Sequence, residues 1–212
     1  MPTRTSFPQF DILEILLERD FEFKNYKTLR PARPGFTLPN FSFAKEFGRW
    51  AQFANGSETR GPVFTNQLLS KPLVIAFYSQ HWGKKGLEHL VNLNSIQHEV
   101  KANGGNLVVI SPERPQQLAD LAWEHSLSLN FYFDFNNHIS KQFGVFDEKR
   151  PVWNQFTGID EDAPLLATYV LNTAKQITYQ HIDWNFEGNF IREDVLSAVY
   201  EAGLYKNSLR SA

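Results

Sequence analysis

Cysteine is absent from all 212 residues of the chain. Its absence excludes disulfide bonds, a thiolate nucleophile, a Cys-x-x-Cys redox pair and every metal site built on thiolate ligands. It gives no information about compartment, because proteins in any compartment can lack cysteine. Redox or nucleophilic chemistry in this chain would therefore have to use other side chains.

Long apolar runs and an excess of one charge are also missing. The longest apolar run, Leu73–Phe77, is far shorter than the roughly 20 residues of a membrane-spanning helix. The first ten residues, MPTRTSFPQF, lack the apolar core of a signal peptide. The net charge is −2 and the basic residues are scattered, which disfavours a nucleic-acid binder. We therefore expect a cytoplasmic protein that binds neither membrane nor nucleic acid.

The middle of the chain alternates between strand and helix patterns. Residues 73–78 (LVIAFY) and 107–110 (LVVI) are continuous apolar runs, typical of strands covered on both faces. Apolar residues recur at helical spacing over 84–102 and again over 115–126. Asn103-Gly104-Gly105 predicts the turn that ends the first of these helices.

The last third changes period. Residues 130–135 suggest a short strand and 137–143 a short helix, while 167–171 and 176–182 flank a tight turn and predict an antiparallel hairpin. An amphipathic helix from Ile191 closes the chain. Because a strand–helix–strand unit makes its two strands parallel, the whole order predicts an α/β protein with a mixed central sheet and helices on both faces. This is the arrangement of the thioredoxin-like fold.

The first part of the chain shows weaker patterns. Residues 10–19 (FDILEILLER) predict a short helix, and residues 30–62 are rich in proline and glycine, which indicates an irregular segment with a short hairpin. We divide the chain into an N-terminal extension, 1–33, and a thioredoxin-like domain, 34–212.

Four stretches carry a resemblance to a known family. KPLVIAFYSQHWGKKGLEHL resembles the active-site segment of peroxiredoxin-like proteins of the alkyl hydroperoxide reductase and thiol-specific antioxidant family. NLVVISPERP, FDFNNHISKQFGV and APLLATYVLN resemble the next strand and loop, the aspartate before a short helix, and the strand that begins the hairpin. The four are in order over roughly residues 34–203.

The resemblance places the family's chemistry on residues that cannot perform it. In many members a tryptophan precedes Cys-x-x-Cys at the head of the first long helix, and those two positions fall here on Gly83 and Gly86. In members with one cysteine, it corresponds to Gly86. The fold's cis-proline position falls on Leu166, where we expect a trans bond because a cis bond without proline costs about 2.5–4 kcal/mol. We therefore assign no catalytic residue and no cofactor.

Besides the small-ligand binding described below, two functions remain open at this stage. The first is a redox-inactive binding or interaction module, with an unidentified protein or small molecule as its partner. The second is the antioxidant peroxidase or oxidoreductase activity that the resemblance implies, which would need a cysteine-free mechanism. The resemblance also implies a homodimer as one form of assembly. Phe36, Trp153 and Phe156 are candidates for an exposed apolar contact surface.

The head of the first long helix offers a candidate ligand pocket. Backbone N–H groups at a helix N-terminus favour anions, and nearby lysines add positive charge. The residues of this pocket are His81, Trp82, Gly83, Lys84, Lys85 and Gly86. In the alternative reading, Trp82 packs in the core and the lysines are solvated. No metal site is expected, since the six histidines form no i, i+4 pair, and His125 is interpreted as a core histidine.

Overall fold

A computed structural model describes residues 28–43, 52–54, 57–59, 63–154, 159, 161–182, 184 and 190–208. The predicted helix at 10–19 and the aromatic residue Phe156 lie outside these ranges. Among the described residues, no helix combines the length and the hydropathy that a membrane-spanning segment requires.

The strands and helices follow the predicted order. The strands are β1 (Ser42–Phe43), β2 (Gln52–Ala54), β3 (Ser57–Thr59), β4 (Val63–Phe64), β5 (Leu73–Phe77), β6 (Asn106–Ser111), β7 (Phe131–Phe133), β8 (Ala167–Leu171) and β9 (Ile177–Ile182). The α-helices are α1 (Thr65–Leu68), α2 (Gly83–Ala102), α3 (Pro115–Glu124), α4 (His138–Gln142) and α5 (Arg192–Ser208). Short 3-10 helices occupy Gln80–Trp82, Phe135–Asn137 and Val152–Asn154.

A five-stranded mixed sheet lies at the centre, in the order β7-β6-β5-β8-β9. Strand β5 is parallel to β6 and antiparallel to β8, so that Ala76 lies opposite both Val109 and Thr168. Strands β8 and β9 form the predicted antiparallel hairpin, and β2 and β3 form the short hairpin expected in the irregular segment. The mixed sheet and thioredoxin-like fold predicted from the sequence are confirmed.

Strand β5 is buried on both faces. Leu73, Ile75 and Phe77 enter one apolar cluster, which includes residues of α1, α4 and the segment 29–41. Val74 and Ala76 enter the other cluster, which includes residues of α2, α3 and α5. Because neighbouring side chains of a strand point to opposite faces, a strand between two apolar layers must be apolar throughout. This explains why residues 73–78 form a continuous run.

The segment that precedes β1 packs along the domain. The Ala32 N–H donates to the Phe143 carbonyl at 2.8 Å, and Leu29 is buried. Gly144 allows this approach: its φ is +66°, and a Cβ built there would lie 2.2 Å from the Arg30 carbonyl oxygen. A side chain at position 144 is thus disfavoured by the backbone conformation of Gly144 and blocked by the backbone of Arg30.

We expect Gly144→Ala to destabilise the protein through both effects. The left-handed backbone alone costs about 1–3 kcal/mol for a non-glycine residue, and the collision with Arg30 adds to that cost. Gly104→Ala is the matched control, because Gly104 has φ +78° with open space around an added Cβ. Urea unfolding of both variants measures the difference. Equal losses of unfolding free energy in the two variants would mean that the backbone at Arg30 moves aside at no cost in stability.

Three tyrosines are buried in the core. Burial raises the pKa of Tyr132 to about 12; burial, followed by the nearby Glu113 carboxylate, raises the pKa of Tyr78 to about 12. Burial also raises the pKa of Tyr169, whose hydroxyl has no hydrogen-bond partner in the described structure. Each pKa is higher in the folded state than the value near 10 of an unfolded chain. The folded state therefore favours the neutral phenols.

Stability should fall at alkaline pH. The contribution of the three phenols is complete below pH 10 and is lost as the pH rises from about 10 toward 12, because the unfolded chain ionises first. Urea unfolding between pH 8 and pH 11.5 would measure this decline. Tyr169→Phe removes a hydroxyl that has no partner, so we expect little change at pH 8 and a shallower decline above pH 10. An unchanged slope in this variant would contradict the assignment.

Candidate functional site

The chain turns from β5 into α2 through Ser79 and the 3-10 helix Gln80–Trp82. Ser79 has extended backbone and caps this turn, with its Oγ accepting from the His81 N–H at 3.3 Å. The Trp82 N–H donates to the Ser79 carbonyl at 3.2 Å. These contacts fix the chain where the long helix begins, at the carboxyl end of β5.

Gly83 begins α2 with a backbone that only glycine adopts readily. Its φ is +51° and its ψ is −131°. A Cβ built at Gly83 would meet no heavy atom within 4 Å. Backbone conformation, rather than crowding, therefore disfavours a side chain at the first of the two positions that the family resemblance assigns to a thiol.

Gly86 is closed by packing instead. It is buried, and a Cβ built there would lie 2.9 Å from Tyr78 Cε2, 3.0 Å from Trp82 Cβ and 3.3 Å from the Ser79 carbonyl oxygen. The ring of Tyr78 thus covers the place where a side chain at position 86 would begin. The position that the family resemblance assigns to the second thiol is therefore part of the packing between Tyr78 and α2.

The six residues of the predicted ligand pocket divide into two groups. Trp82 and Gly86 face inward, and the Trp82 indole N–H donates to the Pro164 carbonyl at 2.7 Å. The other four lie outside the core: Gly83, Lys84 and Lys85 are exposed, and His81 is half-buried. Trp82 therefore packs in the core, as the alternative reading had it. Ligand binding at this helix head stays a prediction.

The surface charges at the helix head have partners. Lys84 and Lys85 each place their ammonium group 3.6 Å from the Glu88 carboxylate. His81 Nε2 lies 3.4 Å from the carboxylate of Glu161. Exposed ion pairs contribute only about 0–1 kcal/mol, but Glu88 offsets part of the positive potential that an anion would require.

A buried carboxylate beside the helix head was not identified from the sequence. Glu113 Oε1 accepts from the Ser79 hydroxyl at 2.6 Å and from the Gln80 N–H at 2.8 Å, and Oε2 accepts from the Ser111 hydroxyl. A buried carboxylate is stable only with such donors. Glu113 joins the ends of β5 and β6 and holds the loop that leads into Gly83. The sequence feature that could have identified Glu113 is its position just after the buried strand β6.

His89, about one turn after Gly86 on α2, contacts strand β8. His89 Nε2 lies 2.9 Å from Thr168 Oγ1, and both side chains are buried. The rings of His89 and His181 both contact Phe190, at centroid distances of 5.1 Å and 5.6 Å. In the described parts of the chain, no group of three or more His, Asp or Glu side chains is arranged to hold a metal ion.

The remaining predicted positions are placed as follows. Leu166 is buried, and the described residues contain no cis peptide bond, which agrees with the trans bond expected there. His125 is half-buried where α3 ends, so its interpretation as a core histidine was wrong: it lies just past the helix and not on its buried face. Phe36 and Trp153 are 51% and 47% exposed. Both are therefore available for contacts, as expected.

Three solved structures illustrate what the chain is similar to. The peroxidoxin BcpB of Mycobacterium tuberculosis aligns with a TM-score of 0.57 and 18% identity over 80% of this chain and 97% of its own. The bacterioferritin comigratory protein of Xanthomonas campestris gives 0.57 and 16% over 81% and 99%. A putative thiol:disulfide interchange protein DsbE of Chlorobium tepidum gives 0.53 and 13% over 79% and 98%. At these identities the likeness concerns the fold alone.

Sequence comparison gives the family. No curated protein matches the chain. The AhpC/TSA family model matches residues 34–180, more than half of the chain. That range contains both glycines at the helix head, Glu113 and Leu166. The chain therefore belongs to the AhpC/TSA family, and it is a cysteine-free member with a thioredoxin-like fold.

Proposed function

We propose that this protein is a redox-inactive member of its family that acts by binding a partner. The observation that carries the proposal is the packing at Gly86, where the ring of Tyr78 and the Cβ of Trp82 occupy the space next to the backbone. A thiol peroxidase requires a thiolate at such a helix head, and the sequence contains no cysteine anywhere. A cytoplasmic location belongs to the same proposal.

The antioxidant enzyme is the alternative, and nearby side chains give it little support. The hydroxyls of Ser79 and Ser111 donate to the Glu113 carboxylate and are buried with it. Neither hydroxyl can supply the electrons that peroxide reduction consumes. The only methionine is Met1, outside the described residues. A cysteine-free peroxidase would therefore need an external redox group.

A small anionic ligand at the helix head is the second candidate. Lys84 and Lys85 favour it by their charge, and Gly83 favours it by leaving open space at its Cα. Glu88, which lies 3.6 Å from both lysines, opposes it. The inward packing of Trp82 and Gly86 leaves only surface groups for such a ligand. We therefore rank it below binding of a protein partner elsewhere on the surface.

The purified chain should not consume peroxide. We expect hydrogen peroxide and an organic hydroperoxide to disappear, with dithiothreitol as reductant, no faster than in the blank without protein. The same chain should not reduce insulin disulfides. Turnover above the blank in either assay would defeat the proposal of redox inactivity.

The packing at Gly86 can be tested by adding one methyl group. Gly→Ala within a helix ordinarily stabilises by about 0.5–1 kcal/mol, whereas overpacking costs about 1–3 kcal/mol. Because the added carbon would lie only 2.9 Å from the Tyr78 ring, we expect Gly86→Ala to destabilise the protein overall. Urea unfolding measures the loss, with the exposed Lys85→Ala as the control.

A double-mutant cycle assigns this loss to Tyr78. In a Tyr78→Leu background, the shorter side chain leaves room at position 86, so Gly86→Ala should cost less than it does in the wild type. Strictly additive effects would show that Tyr78 is not what closes the position.

A further inference from the structure

Helix α3 exposes a large aromatic side chain that its own fold does not use. Trp123 is 90% exposed, although Leu118 and Ala122 of the same helix are buried. Two other tryptophans, Trp153 and Trp184, are less exposed than Trp123, at 47% and 41%. Tryptophan is one of the residues enriched at the positions that dominate binding energy at protein interfaces. Its near-complete exposure here points to a contact surface.

A shallow hollow lies beside this ring. Its volume is about 440 Å³, and its lining residues are Ala119, Ala122, Trp123, Ser126 and Leu127. We call this set the α3 hollow. Ala119, Ala122 and Trp123 lie on one face of α3, spaced i, i+3 and i+4, and Ser126 (φ +52°) and Leu127 lie just beyond the end of the helix. The small side chains at 119, 122 and 126 leave room for one apolar side chain against the indole.

Two carboxylates border the hollow on the side of Trp123. Asp120 and Glu124 are exposed and lie one turn apart on α3. Asp120 accepts a hydrogen bond from the Gln116 amide at 2.9 Å, and neither carboxylate forms an ion pair within the described ranges. A cation approaching this border would meet two carboxylates without an ion-pair partner in the described ranges, next to an exposed indole ring.

We propose that the α3 hollow binds a basic amphipathic helix of a partner protein. One apolar side chain of that helix would enter the hollow against Trp123, and Lys or Arg side chains would pair with Asp120 and Glu124. This rests on the proposed function, for which it names the surface and the chemistry of the partner.

Charge argues against the two occupants that this protein could supply itself. A second copy packed antiparallel across α3 would bring the acidic border of each copy against that of the other, which is unfavourable. The chain's own apolar segment 10–19, FDILEILLER, carries three acidic residues and one arginine, so it is acidic as well. A basic partner is the occupant that this border complements.

A pair of labelled peptides tests the proposal on the full chain. One peptide is an amphipathic helix of leucine and lysine, about 18 residues or five turns long, and the other has glutamate in place of lysine. Fluorescence anisotropy should show saturable binding of the lysine peptide and none of the glutamate peptide. Trp123→Ala should weaken binding at least about 10-fold, and Asp120→Asn with Glu124→Gln several-fold.

Matched variants separate this surface from general attraction. Tyr200→Ala removes another exposed aromatic side chain and Glu201→Gln another exposed carboxylate, and both should bind like the wild type. Circular dichroism checks that each variant is folded, which the exposure of these side chains favours. The proposal is overturned if the glutamate peptide binds equally well or if Trp123→Ala changes nothing. A dimer in sedimentation velocity that Trp123→Ala dissociates would also overturn it, since the occupant would be a second copy.

The peroxide assay and the peptide assay can fail independently. Peroxide turnover would defeat redox inactivity while leaving the peptide result readable. Peptide binding that does not depend on Trp123 would remove the partner site while leaving redox inactivity intact.

Discussion

Strand β5 lies between two apolar layers and between two paired strands, and this confinement determines the chemistry at its end. All five residues of the strand are buried, and their side chains alternate between the two clusters. Tyr78 continues that alternation just beyond the strand and enters the cluster that includes α2. Its ring therefore meets the first turns of α2, where Gly86 lies. The absence of a side chain at 86 is what allows helix and strand to approach so closely.

The loop between β5 and α2 is held from several sides at once. The Glu113 carboxylate accepts hydrogen bonds from Ser79 and Gln80, the Trp82 indole is fixed by the Pro164 carbonyl, and Gly83 has a backbone conformation that other residues rarely adopt. Glu113 and Pro164 are distant from the loop in sequence, so the helix head is held by contacts from two other parts of the chain.

The spacing of apolar residues along the sequence predicted the central sheet and its helices. The strands at 73–78 and 107–110 were identifiable because two-sided burial requires continuous apolar runs. The hairpin at 167–182 was identifiable from its change of period. The absence of a thiol was also evident, since the sequence contains no cysteine, and the correspondence of Gly83 and Gly86 with the family's thiol positions stays a prediction.

Contacts between distant residues could not be predicted in this way. The collision between an added Cβ at Gly86 and Tyr78 depends on tenths of an ångström between a strand and a helix. Glutamate is usually a surface residue, and the burial of Glu113 depends on the hydroxyl donors of Ser79 and Ser111. His89 and Thr168 are 79 positions apart, and only the pairing of β5 with β8 brings them near one another. Such features depend on tertiary geometry, not on local pattern.

The backbone of Gly83 and the packing at Gly86 limit which residues this helix head can carry. A cysteine introduced at position 83 would place a side chain on a conformation that L-residues rarely adopt, at a cost of about 1–3 kcal/mol. A cysteine introduced at position 86 would require the Tyr78 ring to move. Installing a thiol at this helix head would therefore need compensating changes in the loop or at Tyr78, whichever of the two positions carries it.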